Sequence, residues 1–256
     1  MSSPAPLVTL LTDFGTADGY VGEMKGVLKS GVPGVEIIDI THDVPPQDVE
    51  AGRLALARYW QRFPPGTVHL VVVDPGVGTA RAALAIASAD RLLVGPDNGV
   101  LSPALLASGA RAVRLDVPRQ ASATFHGRDV FAPAAAALLR GAPLADLGAP
   151  HLAPVVRRTP VPARRSDGAL QGEVITIDRF GNAVTNCLGV HGGTVEVAGQ
   201  VLPLVRTYAD AALGAPVAVI GSSGLVEIAE RNGNAARQLG LIRGSPVVMR
   251  RGDAGP

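Results

Sequence analysis

The feature that most restricts the fold is the run from Val68 to Val73, β-branched and aliphatic apart from His69, which ends abruptly in Asp74. A strand with one wet face alternates apolar and polar residues, whereas a run of this kind needs cover on both faces and belongs inside a helix-flanked, parallel sheet. It predicts a strand at the sheet centre. The flanking sequence supplies the cover. Val8 to Thr12 is a second β-rich run, ending in Asp13, and Tyr20, Met24, Val27 and Leu28 follow at helical spacing behind Asp18, a candidate cap. Val35 to Ile40 reads as a strand, Thr41-His42-Asp43 as a turn, and Val49, Leu56, Trp60 and Phe63 as one helical face. Strands at Ala83 to Ala87, Leu92 to Val94 and Ala112 to Leu115, with helices near Pro103 to Ala107 and Phe131 to Leu139, continue the rhythm. Residues 1–150 therefore read as an α/β layered domain with a central, largely parallel sheet.

The composition shifts between Gly141 and Gly168, where Pro143, Pro150, Pro154, Pro160 and Pro162 recur, so residues 151–168 read as a linker. Beyond it, Gly172 to Ile177, Thr194 to Val197, Val217 to Ile220, Leu225 to Ile228 and Pro246 to Met249 are short strand-like segments between Gly-rich turns. They predict a small β-barrel domain over residues 169–256. Arg250 to Pro256 reads as a disordered tail.

With 47% hydrophobic and 18% charged residues, the 256-residue chain has material for a buried core and lacks the composition of a disordered one. A net charge of +1 without a basic run argues against nucleic acid as a partner. No apolar stretch approaches the ~20 residues that a membrane helix needs. The lone Cys187 excludes an intrachain disulfide framework and reads as a small buried residue, and the opening lacks a secretory leader, which predicts a cytoplasmic protein.

Ligands of open α/β sheets bind beyond the carboxyl ends of the strands, which directs attention to Asp13 and Asp74. Helix or turn capping is the plain alternative for either residue. Gly76 and Gly78 lack the Lys-Ser/Thr of a phosphate loop. The segment Thr124-Phe125-His126-Gly127-Arg128-Asp129-Val130-Phe131 sets three polar side chains among aromatics before a helix. In Asp178-Arg179-Phe180-Gly181-Asn182 polar groups surround one aromatic, and a hairpin turn is the plain alternative. Glu227, following Gly221-Ser222-Ser223-Gly224, stands between apolar strand residues and needs solvent or a partner. His42, His69, His151 and His191 read as structural or solvent-exposed.

Five segments in order, Leu-Thr-Asp-Phe-Gly (residues 11–15), Val-Asp-Pro-Gly-Val-Gly-Thr (73–79), Gly-Pro-Asp-Asn-Gly (95–99), Phe-His-Gly-Arg-Asp (125–129) and Asp-Arg-Phe-Gly-Asn (178–182), resemble the S-adenosyl-L-methionine hydroxide adenosyltransferases. These adenosine-forming hydrolases are related to the fluorinase and chlorinase enzymes. The resemblance implies a homotrimer in which one subunit's first domain meets its neighbour's barrel at the site. It assigns handling of the attacking water to Asp74, Arg81 and His126, the ribose to Asp13, and the adenine to Phe180, Asn182, Tyr208 and the backbone at Glu230. Gly127 is assigned to substrate contact, and Asp178, Ser222, Ser223 and Glu227 to the methionine end. No cofactor and no metal are implied.

The fluorinase-like relatives place a tyrosine where Asp74 stands, so a carboxylate there favours water over a halide. Three alternatives remain on the sequence alone. They are a halide-dependent synthase or lyase, a non-catalytic S-adenosylmethionine or adenosine binder, and a divalent-metal hydrolase built from Asp13, Asp74, His126 and Asp129.

Overall fold

A computed structural model describes residues 5–190 and 192–252, and the chain divides after Arg158 into two compact units. His191 and the tail residues 253–256 lie outside the described residues.

In the first unit the strands are β1 (Leu7–Thr12), β2 (Glu36–Thr41), β3 (Val68–Val72), β4 (Ala83–Ser88), β5 (Arg91–Pro96), β6 (Arg111–Leu115) and β7 (Gly148–Pro150). The helices are α1 (Tyr20–Gly31), α2 (Val49–Tyr59), α3 (Ser102–Leu105) and α4 (Ala132–Leu139). The sheet order is β2-β1-β3-β5-β4-β6-β7, parallel from β2 to β5 and antiparallel across the remaining pairings. All five residues of β3 are buried, and the reason is visible in how they alternate. Val68, Leu70 and Val72 pack with Met24 and Leu28 of α1 and Ala135 of α4, while Val71 and the following Val73 pack with Leu56 of α2. β3 is thus inside the sheet between two parallel neighbours, with helices on both faces, as its composition requires.

Several local expectations change. Asp18 does not cap α1; Gly19, at φ 78°, holds that position without a side-chain bond. Asp48 caps α2 by accepting from the Ala51 N–H at 2.9 Å. The shared helical face ends at Trp60, in a short 3-10 turn, and Phe63 beyond it is extended.

In the second unit, β8 (Ala163–Arg164) edges a closed seven-stranded barrel. The barrel consists of β9 (Leu170–Ile177), β10 (Ala183–Leu188), β11 (Thr194–Val197), β12 (Gln200–Val205), β13 (Pro216–Ile220), β14 (Leu225–Glu230) and β15 (Pro246–Arg250). Pairing of β9 with β10 closes the ring, so no edge is left for these strands to protect. The interior holds Val174, Cys187, Val195, Leu204, Ile228 and Met249, and helix α5 (Ala235–Leu239) adds Ala235 and Ala236. Arg250, expected in the disordered tail, instead ends β15, where it pairs with Thr194 and bonds Asp167 at 2.9 Å.

Candidate active site

Asp13 follows β1 and Asp74 comes two residues after β3, at the same end of two neighbouring parallel strands whose last pairing is Thr12 with Val72. The chain after Asp74 turns back sharply, with the Val77 N–H donating to the Asp74 carbonyl at 3.2 Å and the Thr79 hydroxyl to the Gly76 carbonyl at 2.7 Å. Gly78 sits at φ +76°, and a Cβ there would lie 2.4 Å from the Ala123 carbonyl oxygen, so only glycine lets the 123–126 segment come this close. The turn returns Arg81 to Asp74 as a two-pronged pair. Arg81 Nε donates to Oδ1 at 2.8 Å and Nη2 to Oδ2. The same Nη2 lies 3.0 Å from His126 Nδ1, and Nη1 donates to the Ala82 carbonyl at 3.1 Å. His126 precedes one π-helical turn, Gly127–Phe131, leading into α4, and the guanidinium also stands 5.2 Å from the centre of the Phe131 ring.

This arrangement fixes a proton. A guanidinium has donors and no lone pair, so His126 Nδ1 must accept, which leaves the ring proton on Nε2. Burial, and then the Arg81 charge, hold the imidazole's pKa below its ordinary value, so His126 is neutral at pH 7. The side chains of Asp74 and Arg81 are only 5% and 10% exposed, little enough for water to compete weakly with the pair. Burial above all raises the Asp13 pKa, with the nearby Asp74 charge adding to it, while the Gln47 N–H donates to its Oδ2 at 2.7 Å.

Asp74, His126 and Gly127 line a cavity of about 380 Å3 whose apolar wall is Phe14, Tyr20 and Phe125. The three rings meet edge to face with centroids 5.3 to 6.2 Å apart. The helical spacing of Tyr20 points to a core face, but its 48% exposure shows that it serves a surface instead. Asp129 accepts from Arg128 Nε at 2.7 Å and from the Ser122 N–H at 2.8 Å, and Arg128 also reaches Glu23 at 2.7 Å. Among the described residues no three His, Cys, Asp or Glu side chains converge to hold a metal.

The barrel carries a second group. Asp178 Oδ1 accepts from the N–H groups of Phe180 and Asn182, both at 2.9 Å, and Oδ2 accepts from Asn182 Nδ2 at 3.0 Å. The carboxylate thereby shapes the turn that presents Phe180, which is 75% exposed. Phe180, Asn182, Tyr208 and Glu230 line one cavity of about 430 Å3, with Asn232 and Gly233, which the sequence reading did not single out. The Asn-Gly pair was the available signal, since Asn232 takes φ 58° to make this turn. Glu230 accepts from the Asn234 N–H at 2.8 Å. Glu227 is buried at 6% exposure and receives the Tyr208 hydroxyl at 3.4 Å. Ser222 and Ser223 are exposed between β13 and β14, outside this cavity.

Among the described residues, His42, His69 and His151 have structural surroundings. His69 Nδ1 lies 2.7 Å from the Thr9 hydroxyl, His42 Nδ1 2.9 Å from that of Thr12, and His151 Nε2 2.9 Å from Asp97. Cys187 is 1% exposed, and burial raises its pKa.

Profiles of the SAM hydroxide adenosyltransferase N-terminal and C-terminal domains match residues 8–148 and 172–248. The (R)-S-adenosyl-L-methionine hydrolase of Thermus thermophilus is 46% identical over 255 residues, covering 94% of this chain and 98% of the relative. The protein of the same name from Salinispora tropica is 42% identical over 98% of this chain and 100% of its own length. The crystal structure of an uncharacterized conserved protein from Thermotoga maritima superposes with a TM-score of 0.87 at 35% identity, covering 95% of this chain and 100% of that one.

Proposed function

Because the chain belongs to the S-adenosyl-L-methionine hydroxide adenosyltransferase family, we propose that it hydrolyses S-adenosyl-L-methionine to adenosine and L-methionine, water or hydroxide attacking the ribose 5′ carbon in line with the departing sulfur. The observation that carries this reading is the Asp74-Arg81-His126 constellation at an aromatic-walled cavity. Sulfur leaves a sulfonium as a neutral thioether, so the leaving group needs no acid and the catalytic demand falls on the nucleophile. Arg81 spends its fork on Asp74 and holds the carboxylate in one orientation, from which further lone pairs accept from water. His126, with Nδ1 engaged, offers its Nε2–H as a donor to the attacking oxygen. Attack of an anion on a cation disperses charge, and an apolar wall of Phe14, Tyr20 and Phe125 favours that change over a wet surface.

Asp13 accepts from the ribose hydroxyls, Gly127 contacts the substrate from the cavity wall, and Phe180, Asn182, Tyr208 and the backbone at Glu230 hold the adenine. Asp178 keeps an Oδ2 lone pair for the methionine ammonium beyond its three bonds within the turn. Glu227 adds negative charge there, and Ser222 and Ser223 receive the carboxylate. The site is completed in a homotrimer, where a neighbouring copy's barrel meets the first unit. Light scattering should then give three times the 26.1 kDa chain mass. Fixing both ends of the substrate makes available the ~7 to 11 kcal/mol that positioning contributes to such reactions. We assign the (R) sulfonium epimer as substrate, after the names of the relatives.

The test is incubation with each sulfonium epimer in oxygen-18 water, with chelator, and with or without chloride. Adenosine labelled at its 5′ oxygen, together with methionine, is the expected product. A 5′-halogenated nucleoside, or adenosine without label, refutes the reading.

A further inference from the structure

The segment Gly95-Pro96-Asp97-Asn98-Gly99, which ends β5 and leads toward α3, touches neither cavity described above, yet it grips both ends of the loop that carries Asp74 and Arg81. Asn98 Nδ2 donates to the Val73 carbonyl at 2.8 Å, one residue before Asp74, and Asn98 Oδ1 accepts from the Val100 N–H at 3.1 Å. At the other end, the Asp97 N–H donates at 2.9 Å to the Ala82 carbonyl, the oxygen that also receives Arg81 Nη1. The loop itself is braced from outside: Arg157 Nε donates to the Asn98 carbonyl at 2.9 Å, and the Val155 N–H to Asp97 Oδ1 at 2.7 Å.

β3 ends at Val72, so the Val73 carbonyl has left the sheet ladder and needs another donor. The side-chain amide of Asn98 is that donor, and it sets the peptide plane from which Asp74 departs. We propose that Asn98 is a positioning residue, which aims the Asp74 carboxylate at the Arg81 fork by holding the Val73 carbonyl. This rests on the hydrolase reading for its kinetic test and on geometry alone for its structural one.

Asn98→Asp is close to isosteric and keeps an acceptor for the Val100 N–H, but sets a carboxylate oxygen against the Val73 carbonyl. Its kcat should fall about 10- to 100-fold with KM within about twofold, since small misplacement of a reacting group costs on that order. Asn98→Ser serves the same purpose if the aspartate does not fold. Arg157→Ala, which loosens the same loop without touching Val73, should lower the melting temperature and keep the wild-type kcat. A folded Asn98 variant with wild-type kcat, or one whose KM rises in step with its loss of kcat, overturns the inference. Should wild type release no adenosine, the functional reading fails separately, and the crystal structure of Asn98→Asp decides. An Asp74-Arg81 fork retained there overturns the positioning role, and an opened fork supports it.

Discussion

Replacing Arg81 by lysine keeps the charge and removes the fork, which makes it the sharpest probe of the constellation. The guanidinium serves four acceptors from three nitrogens: Asp74 Oδ1 from Nε, Asp74 Oδ2 and His126 Nδ1 from Nη2, and the Ala82 carbonyl from Nη1. An ammonium is a single point, so it keeps one carboxylate bond and gives up the second, along with at least one of the remaining two. Two charge-assisted bonds at about 1.5 to 3 kcal/mol each total about 3 to 6 kcal/mol, and the near-complete burial of the pair limits replacement by water. Since each ~1.4 kcal/mol is tenfold in rate, a loss of kcat of about 140- to 20,000-fold follows. Adenosine affinity should change little, because Arg81 does not line the cavity. The assay is steady-state release of adenosine, read beside calorimetric binding of adenosine to the same protein. A kcat within about threefold of wild type would refute the view that the fork, rather than charge alone, organises the site.

Other perturbations separate the remaining roles. Asp74→Ala should lose most turnover while binding substrate at near wild-type affinity, because it acts on water; parallel loss of both in calorimetry and kinetics would sink that role. Asp13→Ala should do the reverse, weakening binding by about 1 to 3 kcal/mol as ribose hydroxyls lose an acceptor, and an unchanged Kd would refute the assignment. His69 reports on stability. Burial, with the Arg91 charge adding to it, lowers its pKa to about 4 from an ordinary 6.5, so the unfolded chain takes up a proton before the folded one does. Stability that is intact above pH 6.5 should therefore decline by about 3 kcal/mol as pH falls toward 4. Urea unfolding of wild type and His69→Gln at pH 7 and 4.5 isolates this contribution from the carboxylates. Equal pH slopes in the two proteins would contradict it.

What was legible in the amino-acid order was whatever a short stretch of backbone decides by itself. The run ending at Asp74 demanded cover on both faces wherever it lay, so β3 and its neighbours could be read without knowing what would cover them. The barrel was harder. β12 contains Pro203, which cannot donate to a ladder, and β10 opens beside Asn182 and runs through Thr185 and Asn186, so both resemble turns locally. They become strands because the closed ring supplies partners: Asn186 accepts from the Glu173 N–H at 2.8 Å, and Thr185 donates to the Val226 carbonyl at 2.8 Å.

The site divides in the same way. Asp13, Asp74 and His126 were individually visible as polar residues in ordered motifs whose local sequence also fits a structural role, while Arg81 stood out only through the family resemblance. Only the tertiary structure brings His126 to the guanidinium across 45 positions, thereby fixing its tautomer, and ties Asn98 to the Val73 carbonyl across 25. The physical reason is that periodicity and turn chemistry act over a few residues, whereas hydrogen bonds between loops depend on which strands become neighbours. Sequence therefore determined which residues this fold would bring to the carboxyl ends of its strands, and the order of strands in the sheet decided which of them touch.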